Sequence, residues 1–240
     1  MEGQAAPKGS TPGAWLVHAF TGTGAVISFL AVMAIEAEAW RLCLLWLLVA
    51  LAVDGVDGSL ARWANTKERA GRVDGDILDL VIDYLSYVFV PTIFMWKAGF
   101  FPEPLVVPLV AAIQLSSLYL FARTDMKTKD NYFRGFPSLW NVVAFYLYVG
   151  GATPEVGAIA VAFFALLTFA PVHFVHPFRV TDYGKVLPLL ALAWAAATVA
   201  LLWPGWSEPV RTALLWGSLA AAAVMIGMGL LRTFRGSRAA

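Results

Sequence analysis

Apolar runs near the roughly 20 residues that a helix needs to cross a bilayer follow one another along the chain, with short polar breaks between them. The pattern predicts eight spanning helices, at 14–35, 39–62, 76–97, 103–123, 137–152, 155–174, 183–203 and 209–231. Pro102, Pro104, Pro137, Pro154, Pro204 and Pro209 stand at or near the breaks, where proline costs a helix least. The fifth run is short and carries Asn141, Gly150 and Gly151. The expected fold is all-α: a polytopic integral membrane helical bundle, a single domain over residues 1–240. No soluble domain, internal repeat or low-complexity segment stands apart from it.

Charge orients the bundle. With both termini in the cytosol, eight spans leave only Arg41, Lys97 and Arg211 on the far side, out of 17 Lys and Arg. The rest gather at Lys8, at Arg62 and in the loop at 63–75, at Arg123 and in the loop at 124–136, around Arg179 and Lys185, and at the C-terminus. That asymmetry is what the positive-inside rule requires. Trp15, Trp40, Trp96, Trp140, Trp203 and Trp206 fall near span ends, as interfacial anchors should.

Composition agrees. Apolar residues make up 60% of the chain and charged residues 14%, against about 45–50% and about 25% in soluble domains. A net charge of +1 leaves no global basic field for nucleic acid. Cys43 is the one cysteine, which excludes an internal disulfide and a cysteine metal cluster; in its apolar run it reads as a small buried hydrophobe. A cleaved leader is not expected, because residues 1–13 are short, polar and rich in Gly and Pro, and no clear small-residue cleavage site follows the first apolar run.

The chemistry concentrates in residues 54–83. Of 16 acidic residues, seven lie there: Asp54, Asp57, Glu68, Asp74, Asp76, Asp79 and Asp83. Asp54, Asp57, Asp79 and Asp83 fall inside apolar spans, where a charge costs at least about 2.5 kcal/mol and marks function by default. On the second helix Asp54, Asp57, Gly58, Ala61 and Arg62 share one broad face; on the third, Gly75, Asp79 and Asp83 follow at steps of four. Two antiparallel helices bring these stripes together. Like charges so close force protonation unless a multivalent cation neutralises them. An oxygen-only donor set favours Mg²⁺, Mn²⁺ or Ca²⁺ over zinc, and two divalent ions would balance four aspartates. Gly55, Gly58, Ala61 and Gly75 keep bulk off these faces, either for close helix packing or for close approach of a flat ligand. Arg62 suits a phosphate, and equally an interfacial arginine whose head snorkels to water.

The pattern Asp54-x-x-Asp57-Gly58-x-x-Ala61-Arg62, then Gly75-x-x-x-Asp79-x-x-x-Asp83, resembles the signature of the CDP-alcohol phosphotransferases. The twelve residues between Arg62 and Gly75, a longer spacer than is usual there, resemble the bacterial phosphatidylcholine synthase branch. So do HAFTGTGAVISFLAV in the first span, IDYLSYVFVP after Asp83, and FVHPFRV at 174–180. The resemblance implies an enzyme that displaces CMP from CDP-diacylglycerol with free choline, in a bacterial inner membrane, with its active site facing the cytosol. It implies that Asp54, Asp57 and Asp79 ligate metal, Mn²⁺ or Mg²⁺ and two ions, and that Asp83 completes the site and acts as general base. Gly58, Ala61, Arg62 and Gly75 would line the CDP pocket. A homodimer is an arrangement that relatives often adopt.

Choline offers no N–H, so aromatic faces must hold it. Tyr87 continues the Gly75, Asp79, Asp83 stripe by one step of four, and Tyr84, Tyr119 and Trp140 come at a similar level; each also reads as aromatic packing. His176 and Arg179 are candidates for the lipid phosphate, while His18 and His173 read as structural. Two rivals remain. One is a phosphatidyltransferase of the same family that uses serine, inositol, inositol phosphate or glycerol phosphate. The other is a divalent-cation transporter, which also needs intramembrane carboxylates but not Arg62 or the paired glycines.

Overall fold

A computed structural model describes residues 11–66 and 73–236. Lys8, Lys67, Glu68, Arg69, Arg72 and Arg238, and with them much of the expected cytosolic charge, lie outside the described residues. Among those residues an apolar helix occupies each of the eight expected places. These are α1 (Pro12–Glu36), α2 (Trp40–Ala64), α3 (Gly75–Lys97), α4 (Glu103–Ala122, its first turn 3₁₀), α5 (Trp140–Val149), α6 (Pro154–Leu167), α7 (Val186–Leu202) and α8 (Glu208–Arg235). α1, α2, α3, α4 and α8 are long and apolar enough to cross a membrane. Large apolar side chains such as Phe29, Val107 and Leu166 lie exposed on helix faces, as a lipid solvent demands. The protein is a polytopic integral membrane protein.

Three details differ from the expectation. α5, α6 and α7 have 10, 14 and 17 residues, shorter at 1.5 Å per residue than the roughly 30 Å hydrocarbon core. α5 starts late because Ser138 takes a left-handed φ of 54°, and it stops at Gly150, before Gly151 at φ 62°. α6 was expected to run to residue 174 but ends at Leu167, and His173–Phe174 (β2) instead pairs antiparallel with Phe133–Arg134 (β1). Apolarity alone cannot tell these states apart, and Pro171 and Pro177 bracket the segment. Trp140, expected at the interface, is fully buried, whereas Trp15, Trp96, Trp203 and Trp206 are exposed as anchors should be.

The chain divides into two compact units, residues 1–90 and 91–240. In the first, α1 packs on α2 and on the start of α3. α1 buries Ala14, Val17, His18, Thr21, Gly24, Ser28, Ala31 and Ile35, mostly small residues at helical spacing, so the backbones approach closely. In the second, α4 packs on α6 and α7 on α8, and β2 lies across α8 at Gly229, where a Cβ would strike the His173 carbonyl. Polar contacts tie the loops of this unit. Arg232 donates to Asp130 at 2.7 Å, Tyr132 to Asp182 at 2.9 Å, and the His173 N–H to Thr233 at 2.8 Å.

Candidate active site

α2 carries its carboxylates on the face that it buries. Cys43, Leu47, Ala50, Asp54 and Asp57 follow at steps of four and three; all are buried except Asp54, which is partly so. The stripe that packs the helix thus turns acidic in its last third. α2 stops before Asn65, whose N–H still reaches the Arg62 carbonyl and whose left-handed φ of 52° turns the following chain out of the helix. Arg62 therefore sits in the last turn, exposed, with its guanidinium donating to Ser59 Oγ at 3.1 Å.

α3 begins with a side-chain cap. Asp74 Oδ1 accepts the N–H of Asp76 at 3.0 Å and of Ile77 at 3.2 Å, filling two of the open donors of the first turn. Gly75 follows because α1 leaves no room for more: a Cβ there would stand 2.9 Å from His18 Cε1. The fit is reciprocal, since Gly24 on α1 makes room for Ile82 on α3. His18 is buried, and its Nε2 has no hydrogen-bond partner among the described residues.

This packing brings the acidic stripes together. One carboxylate oxygen from each of Asp54, Asp57 and Asp79 lies within 4.8 Å of the others. Asp83, one turn further along α3, stands within hydrogen-bonding reach of Asp54. Beyond it α3 widens into a π-helix over Tyr84–Phe89, and the Val90 N–H reaches back five residues to the Leu85 carbonyl. From within that widening, Tyr87 donates its phenol O–H to Asp54 Oδ2 at 2.5 Å. Oxygens on opposite sides of a divalent cation bound at 2.0–2.6 Å are about 4–5 Å apart. The three aspartates therefore fit one hard divalent cation, and their all-oxygen chemistry suits Mg²⁺, Mn²⁺ or Ca²⁺.

Gly58 and Ala61 are partly buried on the same α2 segment, and Tyr84 is partly buried on α3. The other expected residues belong to the second unit. Tyr119 is 46% exposed, stacks at a tilt on Phe169 and lies under the Arg123 guanidinium. Trp140 donates to Ser117 Oγ at 2.8 Å amid Phe136 and Phe164. His176 stacks flat on Phe133, and its Nδ1 accepts the Phe178 N–H. The Arg179 carbonyl accepts from Asn131. Two features were not legible beforehand: the Tyr87 hydroxyl on Asp54, and the seat of His18 against Gly75. The signal for the second was an imidazole inside a membrane span, where polar groups are expensive.

Residues 16–226 match the family model of the CDP-alcohol phosphatidyltransferases. A phosphatidylcholine synthase of Pseudomonas aeruginosa is 41% identical over 223 residues, 92% of each chain. One from Borreliella burgdorferi is 35% identical over 202 residues, 84% of this chain and 85% of the relative. One from Mesorhizobium japonicum is 39% identical over 183 residues, 76% of this chain and 68% of the relative.

Proposed function

The chain belongs to the CDP-alcohol phosphatidyltransferase family, and from that premise we infer that it is a phosphatidylcholine synthase: it condenses CDP-diacylglycerol with choline to give phosphatidylcholine and CMP. Within this enzyme the observation that carries the site is the convergence of Asp54, Asp57 and Asp79 from two helices. The family is divalent-metal-dependent, and these residues with Asp83 would hold the metal, as a pair of Mn²⁺ or Mg²⁺ ions. Bound there, the metal supplies charge to polarise the phosphoryl oxygens and to stabilise departing CMP.

The chain's own residues do the rest. Gly58, Ala61 and Gly75 let the CDP moiety approach the helix backbones, and Arg62 pairs its guanidinium with the anionic pyrophosphate. Asp83 accepts the proton of the choline hydroxyl as the new O–P bond forms, because that hydroxyl is a poor nucleophile near neutral pH. Tyr84, Tyr87 and Tyr119 offer ring faces to the quaternary ammonium, Trp140 being fully buried among Phe136 and Phe164, and His176 and Arg179 offer donors to the lipid phosphate. One catalytic domain, in a bacterial inner membrane with its site open to the cytosol, receives the lipid from the bilayer and the nucleotide and choline from water. A homodimer is the assembly we favour.

The deciding experiment combines purified protein, CDP-diacylglycerol and labelled choline in detergent. Labelled phosphatidylcholine and CMP should form with Mn²⁺ or Mg²⁺, vanish with a chelator and return when metal is restored. CMP release only with serine, inositol, inositol phosphate or glycerol phosphate would transfer the protein to another acceptor. Cation flux into vesicles without CMP release would make it a transporter.

A further inference from the structure

The geometry points to Tyr87 as a positioning residue for the metal centre: its hydroxyl fixes the Asp54 carboxylate in the orientation that meets Asp57 and Asp79, and the π-helical widening of α3 is the device that aims it. The inference rests on the metal-binding reading of the aspartates given above.

Three observations carry it. The hydroxyl donates to Asp54 Oδ2 at 2.5 Å, a short hydrogen bond. Tyr87 is buried, and so are Ser86 and Val88 beside it, so the side chain is held rather than free to sample rotamers. The π-helical stretch, Tyr84–Phe89, begins directly after Asp83. An α-helix turns 100° per residue, so each step of four drifts by about 40°, and Tyr87 would stand about 40° from Asp83 and about 80° from Asp79 around the helix. A π turn holds more residues per turn and removes part of that drift. The widening therefore returns Tyr87 to the face of Asp79 and Asp83, from which it reaches across to α2. Isolated π turns are costly and recur at functional sites. Here the turn delivers one hydroxyl to one carboxylate.

The consequence is specific. A carboxylate can rotate about its last bond, and a metal must select the orientation that faces it. A donor on Oδ2 makes that selection before metal arrives. Residues that orient ligands in this way are typically worth 10–100-fold in metal affinity or activity. This role uses the hydroxyl, whereas choline recognition would use the ring face, so the two are separable.

The test is Tyr87→Phe in the full-length protein purified in detergent, with Mn²⁺ as probe. Free Mn²⁺ is counted from its electron paramagnetic resonance signal, independently of turnover, and choline KM is measured beside it at saturating Mn²⁺. The Mn²⁺ dissociation constant should rise about 10–100-fold, choline KM should hold, and kcat should recover largely at high Mn²⁺. Incorporating 3-fluorotyrosine at position 87, which keeps the donor, should restore Mn²⁺ affinity. The metal-free melting temperature of Tyr87→Phe should stay near that of the parent; a collapse there, not repaired by excess Mn²⁺, would overturn the inference in favour of packing. Unchanged Mn²⁺ affinity would overturn it, as would a raised choline KM with Mn²⁺ affinity intact. A parent protein that binds Mn²⁺ but makes no phosphatidylcholine would refute the acceptor assignment and leave this inference standing. A parent that binds no Mn²⁺ would refute both.

Discussion

The described acidic side chains of the two units keep different company. In the second unit, acids meet bases. Asp125 takes a two-point contact from Arg123, at 2.8 and 2.9 Å, and a third from Arg134 at 3.3 Å. Asp130 takes Arg232 at 2.7 Å. In the first unit, acids also meet one another, with Asp54, Asp57 and Asp79 converging and Asp83 beside Asp54. An ion pair at a loop holds chain segments together. A cluster of like charges inside a membrane span opposes folding and persists only where something else recompenses it. The ion pairs hold loops together, and the clustered carboxylates are the ones we propose to hold the metal.

The largest break in this comparison should come from two substitutions in the acidic cluster. Asp83→Asn keeps the shape but cannot take a proton at neutral pH, so kcat should fall about 10²–10⁴-fold while CDP-diacylglycerol binding survives. Asp54→Asn should lose both metal binding and turnover, with excess metal restoring only part. Direct ligand binding measured beside the rate decides the matter: near-normal kcat in Asp83→Asn would send the search for the base elsewhere.

A smaller effect should follow from Gly75→Ala. The added methyl would press on the His18 ring at 2.9 Å, and overpacking of this kind costs about 1–3 kcal/mol. His18→Ala in the same chain should recover the melting temperature. If the nucleotide also approaches the Gly75 backbone, the KM for CDP-diacylglycerol should stay raised in the double variant. Recovery of both would leave Gly75 with a packing role only.

The smallest effect belongs to the paired acids. Arg232, donating to Asp130, holds that carboxyl down to about 2, below its ordinary value of about 3.9. The folded value is the lower one, so this contribution is full above about pH 4 and is lost as pH falls towards 2. Asp130→Asn should cost about 1 kcal/mol at pH 7, because the pair is partly solvated, and little near pH 2, while turnover persists. Melting temperatures at the two pH values measure it; an equal loss at both would mean that the charge does not matter.

Sequence alone determined the solvent, the places of the eight apolar helices seen among the described residues, and the acidic motif. Each is written in local period and spacing: apolar runs of spanning length, steps of three and four, and carboxylates where apolar residues should stand. Orientation in the membrane was inferred from cations, many of which lie outside the described residues. Only tertiary structure decided the rest. It shortened α5, α6 and α7 and turned His173–Phe174 into a strand, because its pairing partner, Phe133–Arg134, lies far away in the chain. It buried Trp140 against Ser117, although its place at a span end reads as an anchor. It set His18 against Gly75 and the Tyr87 hydroxyl on Asp54, 33 residues distant in the chain. Periodicity says which residues share a face of one helix. Which atom of the neighbouring helix that face meets depends on backbone approach and local winding, and those exist only once the helices have packed.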